Sequence, residues 1–286
     1  MKFRSLYILC IFLLTLFSCT FLTKKTSENV FVDTLNVQEN SLPEFIDFSL
    51  FHTPYLYGAN FHGIFEYKLV GDTLGDLFQY IEIDTKLEKK QRTSSFNMYD
   101  YYLNPSNSYK EEVKDNIVRL LAYVIFEPDN NGTPKPAVAD SLEAFPYQLK
   151  FPVKDTLSIS FRFDSPSQPD FYAVFNDKNW VEWLDKSIWK NREVPMLVMM
   201  GNFKFSYKQK HFTYNNEMNC SKTYYYAQGI GLVRYSFKCD DGRNNTYELN
   251  RIISPKEFQE MQLNPPVPPL PEPDTSPSEM FVPLNK

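Results

Sequence analysis

The amino-acid sequence predicts an α+β fold that is mainly β, with one or more antiparallel sheets and a few short helices. Three observations predict it. Apolar residues recur at a period of two in several stretches, aromatic residues make up 16% of the 286 residues, and helix-capping signals are few. Taken in chain order, Phe61, Phe65, Tyr67 and Leu69 read as a strand. Ser108 to Glu111 has the form of a capping box, and Val113, Ile117, Leu120, Leu121 and Val124 continue it at helical spacing. Residues 117–126 fit a buried strand equally well, and periodicity alone does not separate the two. Phe145, Tyr147, Leu149, Phe151 and Val153 alternate, with Pro146 and Pro152 on the other face, which marks an edge strand. Leu157, Ile159, Phe161 and Phe163 give a further strand.

Trp180, Trp183, Leu184 and Ile188 repeat at helical spacing behind Asp177 as a candidate N-cap, so the spacing predicts a helix over residues 178–189. Phe203, Phe205 and Tyr207 return to strand alternation. From Cys220 to Ile253 three antiparallel strands follow, with turns at Gln228-Gly229-Ile230-Gly231 and at Asp241-Gly242. A hairpin centred between Gly229 and Ile230 sets Cys220 opposite Cys239, at a separation that strand twist can bring within disulfide reach. A disulfide is expected there. Ser254-Pro255-Lys256-Glu257 has the cap, first-turn proline and reaching glutamate of a final helix.

The ends differ from this body. Lys2 and Arg4 precede a twelve-residue apolar run from Leu6 to Phe17, which is the pattern of an export signal and is shorter than the roughly 20 residues of a membrane-spanning helix. Residues 1–18 are read as the signal peptide, 19–41 as a tether, 42–263 as a single β-rich domain and 264–286 as a proline-rich tail. The tail segment NPPVPPLPEP favours an extended polyproline II rod, because proline fixes φ and lacks the amide donor. The chain carries 30 Lys+Arg against 35 Asp+Glu, net -5; loss of Lys2 and Arg4 with the signal leaves 28 minus 35, or -7. With no basic cluster, nucleic acid is excluded as the main partner.

The ending Leu16-Phe17-Ser18-Cys19 resembles the lipobox of bacterial lipoproteins, with Phe17 departing from the usual small residue. That resemblance implies acylation of Cys19, palmitate among the chains, and a body held at a membrane. Thr20 stands where enterobacterial inner-membrane lipoproteins typically carry Asp, so the same resemblance implies outer-membrane sorting. The triplets ending in Leu35, Leu74, Leu142 and Leu157 are similar to the Asp-Ser/Thr-apolar sequon of exported Bacteroidota proteins, which implies O-glycosylation at Thr34, Thr73, Ser141 or Thr156. Such triplets also form ordinary turns. Tyr226-Ala227-Gln228-Gly229-Ile230-Gly231-Leu232-Val233 resembles a late hairpin of uncharacterised exported β-rich lipoproteins of Bacteroidota, which implies fold kinship and no activity.

Catalytic chemistry is sparsely represented. His52, His62 and His211 are the only histidines, and none sits in HExxH or beside a nucleophile motif. No metal site or cofactor is expected: Glu127 to Gly132 matches half of a calcium loop, but Val138 stands where the bidentate glutamate is required. Consecutive tyrosines at 224–226 place Tyr225 away from the apolar face, so Tyr225 and Trp189 are candidates for stacking on glycan rings. The leading expectation is a lipid-anchored, non-enzymatic envelope protein that binds another envelope component or serves its assembly. A glycan-binding surface lipoprotein is the second reading, and a hydrolase with an acidic pair is the third.

Overall fold

The computed structural model describes residues 44–71, 77–128, 132–139, 141–144, 147–152, 156–211 and 215–265. Strands take 69% of it and helices 8%, almost all in one nearly closed, barrel-like antiparallel sheet, so the fold is all-β and not α+β. Strands β1 (Phe45–Asp47) and β10 (Lys150–Pro152) form a separate two-stranded ribbon. The large sheet begins with a meander of β2 (His62–Leu69), β3 (Phe78–Glu88), β4 (Gln91–Tyr99), β5 (Pro105–Lys114), β6 (Ile117–Pro128) and β7 (Pro134–Val138). Short strands β8 (Ser141–Ala144) and β9 (Tyr147–Gln148) follow, then a second meander of β11 (Thr156–Asp164), β12 (Phe171–Trp189), β13 (Arg192–Gln209), β14 (Asn215–Ala227), β15 (Gly231–Cys239) and β16 (Asn244–Ile253). The two meanders join where β16 pairs with β2. At the other side, β7 lies beside β11 and β8 beside β6, which closes the wall.

The helix expected over 178–189 is a strand, the segment 117–126 left open between helix and strand is a strand too, and local turn chemistry explains both. Lys114 pairs with Ile117 around Asp115 and Asn116, whose φ values are 52° and 62°. Trp189 pairs with Arg192 around Lys190 and Asn191, at 45° and 64°. Two positive φ values in a two-residue loop are the signature of the hairpin turn that matches strand twist. The helical spacing from Val113 to Val124 therefore straddles a hairpin, and residues 117–126 belong to β6. The spacing from Trp180 to Ile188 lies in β12, where a register shift between Val181 and Trp183 breaks the period of two. The expected edge strand at 145–153 is divided among β9, β10 and the bend at Leu149; residues 145, 146 and 153 lie outside the described set.

Among the described residues, helical structure is confined to a 3₁₀ turn (Phe48–Leu50), the one-turn helix α1 (Thr53–Leu56) and the helix α2 (Pro255–Leu263). The cap at the start of α2 forms: Ser254 Oγ accepts from the Glu257 amide at 3.2 Å. Phe258 buries this helix against the outside of the barrel, near Tyr80 and Tyr99. The 3₁₀ turn and α1 instead fill one mouth of the barrel. Ile46, Phe48 and Phe51 pack there with Val113, Val118 and Leu197 of the wall, and Arg92 donates to the Pro54 carbonyl at 2.6 Å while lying 4.2 Å from the Tyr55 ring centre.

Inside, aromatic rings stack from strand to strand. The series runs Phe96, Tyr109, Tyr123, Phe161, Phe175 and Phe203, with centroid separations of 4.3, 6.2, 4.2, 4.8 and 5.4 Å. Four of the five pairs sit on hydrogen-bonded neighbouring strands, and the Tyr123–Phe161 step joins β6 to β11 across the seam that β7 and β8 cover. Phe203 is the register partner of Cys220, which continues the belt to the Cys220–Cys239 disulfide. Truncation of the seam ring, Phe161→Ala, is expected to cost about 3–5 kcal/mol in urea unfolding, while Leu121→Ala on the outer surface changes stability by less than about 0.5 kcal/mol.

Candidate functional site

The inward face is not wholly apolar. Period two places Asp177 and Asn179 of β12 between Phe175 and Val181, and Lys222 of β14 between Cys220 and Tyr224. All three polar residues are buried. Lys222 Nζ lies 2.6 Å from each Asp177 carboxylate oxygen, and Asn179 Nδ2 donates to Asp177 Oδ2 at 3.1 Å. The partners come from strands that are not adjacent, because β13 runs between them. Gly201 of β13 is the register partner of both Asn179 and Lys222. A Cβ there would sit 2.5 Å from Asn179 Oδ1, 2.7 Å from the Lys178 carbonyl and 2.8 Å from Lys222 Cε. The missing side chain is the passage through which the lysine reaches across β13.

Electrostatics follow from this burial. Burial pushes the Lys222 ammonium below its ordinary range against the opposing pull of Asp177. The same dry surroundings, with Asp177 nearby, hold the Tyr123 and Tyr224 phenols well above theirs, so both stay neutral donors. Tyr123 Oη receives a hydrogen bond from Asn107 Nδ2 at 3.2 Å. The side-chain oxygens of Asn107 and Asn179 are buried acceptors without a hydrogen-bond partner among the described residues.

Two further polar contacts lie toward the ends of the barrel. His52 of the mouth-filling segment is buried with Nε2 3.0 Å from Glu111 Oε1. At the opposite end Glu127 is buried and accepts from Ser165 Oγ at 2.7 Å and Ser167 Oγ at 3.0 Å. Burial raises the Glu127 carboxyl above its ordinary value of 4.5, against the lowering effect of the two serines.

The residues singled out from sequence are scattered. Cys220 and Cys239 face one another with Cα atoms 4.1 Å apart and are disulfide-bonded inside the barrel. The hairpin register departs from a uniform one near its turn, where Tyr226 pairs with Leu232 after a bulge. Tyr225 is half-buried against the core with the Arg234 guanidinium 5.6 Å from its ring centre. Trp189 is also half-buried, at the β12–β13 turn, with Lys190 Nζ 4.8 Å from its ring. These two rings stand on different hairpins. Thr156 is exposed at the start of β11, and Ser141 opens β8. Cys19, Thr34 and Thr73 lie outside the described residues, as do Asp129 to Asn131 of the half calcium loop. His62 is exposed and 2.8 Å from Glu82. Sequence reasoning missed Lys222, Asn179 and Gly201. The signal of Lys222 and Asn179 was present as a charged and an amide residue on the inward parity of apolar strands, and that of Gly201 as a glycine inside a strand.

No family model matches the chain, and no curated protein matches it. Two solved structures resemble its backbone. One is a candidate lipoprotein from Parabacteroides distasonis, 7% identical with a TM-score of 0.41, covering 69% of this chain and 98% of that one. The other is a candidate exported protein with a YmcC-like fold from Bacteroides fragilis, 9% identical with a TM-score of 0.41, covering 69% of this chain and 99% of that one.

Gly201→Ala is expected to destabilise the protein by roughly 1–3 kcal/mol in urea unfolding, because the added methyl meets a backbone carbonyl as well as the lysine. Glu127 gives a pH signature. A carboxyl raised on folding binds protons more readily in the native state, so stability falls as pH rises from about 4.5 through the folded value and is level above it. Glu127→Gln, which keeps an acceptor for the serines, should remove that component; an unchanged pH profile of the unfolding midpoint would refute the assignment.

Proposed function

We propose that this chain is an exported, lipid-anchored protein of the bacterial outer membrane whose barrel acts without catalysis, by surface contact with another envelope component. The observation that carries the reading is the order of charge, short apolar run and small residue before Cys19. Two acyl chains on such a cysteine hold a protein at a bilayer, since each buried methylene contributes about 0.8 kcal/mol. The Cys220–Cys239 disulfide supports the same compartment, because disulfides persist outside the reducing cytoplasm. Acidic character fits it as well. A mature charge of 28 minus 35 gives the body no attraction to anionic lipid, so the anchor would supply the membrane attachment.

The anchor would enter the barrel at a defined place. Residues 20–43 separate Cys19 from Glu44, and β1 and the mouth-filling 3₁₀ turn follow at once. With an anchor at Cys19, the mouth filled by this segment would face the membrane and the Ser165–Gln168 end would face away. Thr156, exposed at the start of β11, would be open to a sugar. Membrane fractionation of wild type against Cys19→Ala tests the anchor: wild type should sediment with outer-membrane vesicles and the variant should be released to the soluble fraction. A variant that stays with the membranes would sink the proposal.

A further inference from the structure

The Asp177–Asn179–Lys222 cluster has a use beyond packing. A buried amine, a buried carboxamide and a buried carboxylate that touches both are the ingredients of an amide-forming condensation. We infer that Lys222 and Asn179 become joined by a covalent side-chain amide, formed within the folded barrel and assisted by Asp177 as the proton carrier. The nucleophilic nitrogen and the leaving nitrogen share one carboxylate oxygen: Lys222 Nζ is 2.6 Å from Asp177 Oδ2, and Asn179 Nδ2 is 3.1 Å from the same atom. Gly201 brings the two reacting chains to one spot, since a single Cβ position over it would be 2.5 Å from Asn179 Oδ1 and 2.8 Å from Lys222 Cε. Asn179 Oδ1 has no hydrogen-bond partner among the described residues, so the carbonyl is not held by another donor.

The surroundings favour the chemistry. A lysine must lose its proton to attack, and burial disfavours the ammonium while Asp177 stands ready to take that proton. Phe203 and Tyr224 lie 5.8 and 5.1 Å from Lys222 Nζ at their ring centres and help exclude the water that would otherwise hydrolyse the intermediate. Fixed placement of both partners replaces a bimolecular encounter by an intramolecular one.

The step balances. One ammonium proton passes to Asp177, and the neutral Nζ lone pair adds to Asn179 Cγ, whose carbonyl π pair moves onto Oδ1. Nζ gives a second proton, by way of the carboxyl group, to Nδ2. The Oδ1 pair then re-forms the carbonyl as the Cγ–Nδ2 bond breaks and ammonia leaves. The products are a secondary amide between Lys222 and Asn179, one ammonia, and Asp177 carrying the remaining proton. No oxidant, metal or cofactor enters. The bond would tie β12 to β14 across β13, beside the disulfide that ties β14 to β15, so β12 and β14 would both be linked covalently to β15.

Peptide mapping of the purified full-length mature protein, after reduction and alkylation, tests this directly. The expected result is a branched peptide joining the segments around Lys222 and Asn179, lighter by one ammonia than their sum, with no tryptic cleavage after Lys222. Asp177→Ala and Lys222→Arg should each return linear peptides of full sequence mass. Wild type decides the question even if a variant fails to fold: linear Lys222 and Asn179 peptides in the native protein overturn the inference. A branched peptide lighter by water and joined at Asp177 would overturn it too, by assigning the bond to a different carboxyl carbon.

Discussion

The structure depends on closing a sheet of many strands around an interior too wide for aliphatic side chains to fill. A barrel's diameter grows with strand number, and about eight strands already make an interior that ordinary side chains just occupy. This wall has 14 strands, counting the short β9. The composition answers that geometry with 25 phenylalanines and 19 tyrosines, six of whose rings stack in series from β4 to β13. Offset stacking adds roughly 0.5–1.5 kcal/mol per pair beyond the area each ring buries. At the seam, where β7 meets β11 and β8 meets β6, the Tyr123–Phe161 stack joins the two meanders inside the wall.

The remaining space is handled in two other ways. The segment before β2 folds back into one mouth, bringing Phe48 against Tyr226 at 5.4 Å and His52 against Glu111. In the middle, polar groups lie among the rings, at a cost that only close pairing offsets. Lys222 and Asp177 satisfy that condition because Gly201 contributes no side chain. One glycine thus decides whether a buried charge is paired or orphaned. The high phenol ionisation points of Tyr123 and Tyr224 are the electrostatic trace of the same dry, acid-containing interior.

The mouth-filling segment and the first wall strand are consecutive in the chain, so residues that carry packing energy in the mouth lead directly into the barrel. The Cys220–Cys239 disulfide adds a covalent tie between two wall strands inside the barrel. The outer surface is quieter. Its one helix, α2, is fixed by Phe258 and by the chain of ion pairs from Glu66 through Arg251 to Glu257.

Much of this was written locally. Alternation in β2, β11 and β13 to β15, the Ser254 cap of α2 and the turn residues of the β14–β15 hairpin each depend on residues within a few positions, and each was legible in the sequence. The helix expected over 178–189 failed, and the choice between helix and strand over 117–126 stayed open, for an equally local reason: hairpin turns at Asp115-Asn116 and Lys190-Asn191, and a bulge after Val181, mimic helical spacing when apolar residues alone are counted. What only the tertiary structure decided is which strands meet. Tyr123 finds Phe161 because the ends of two meanders close, and Lys222 finds Asp177 because Gly201 opens the strand between them. These pairs are 38 and 45 residues apart. Periodicity states the face on which a side chain stands and is silent about its neighbour across a closed wall.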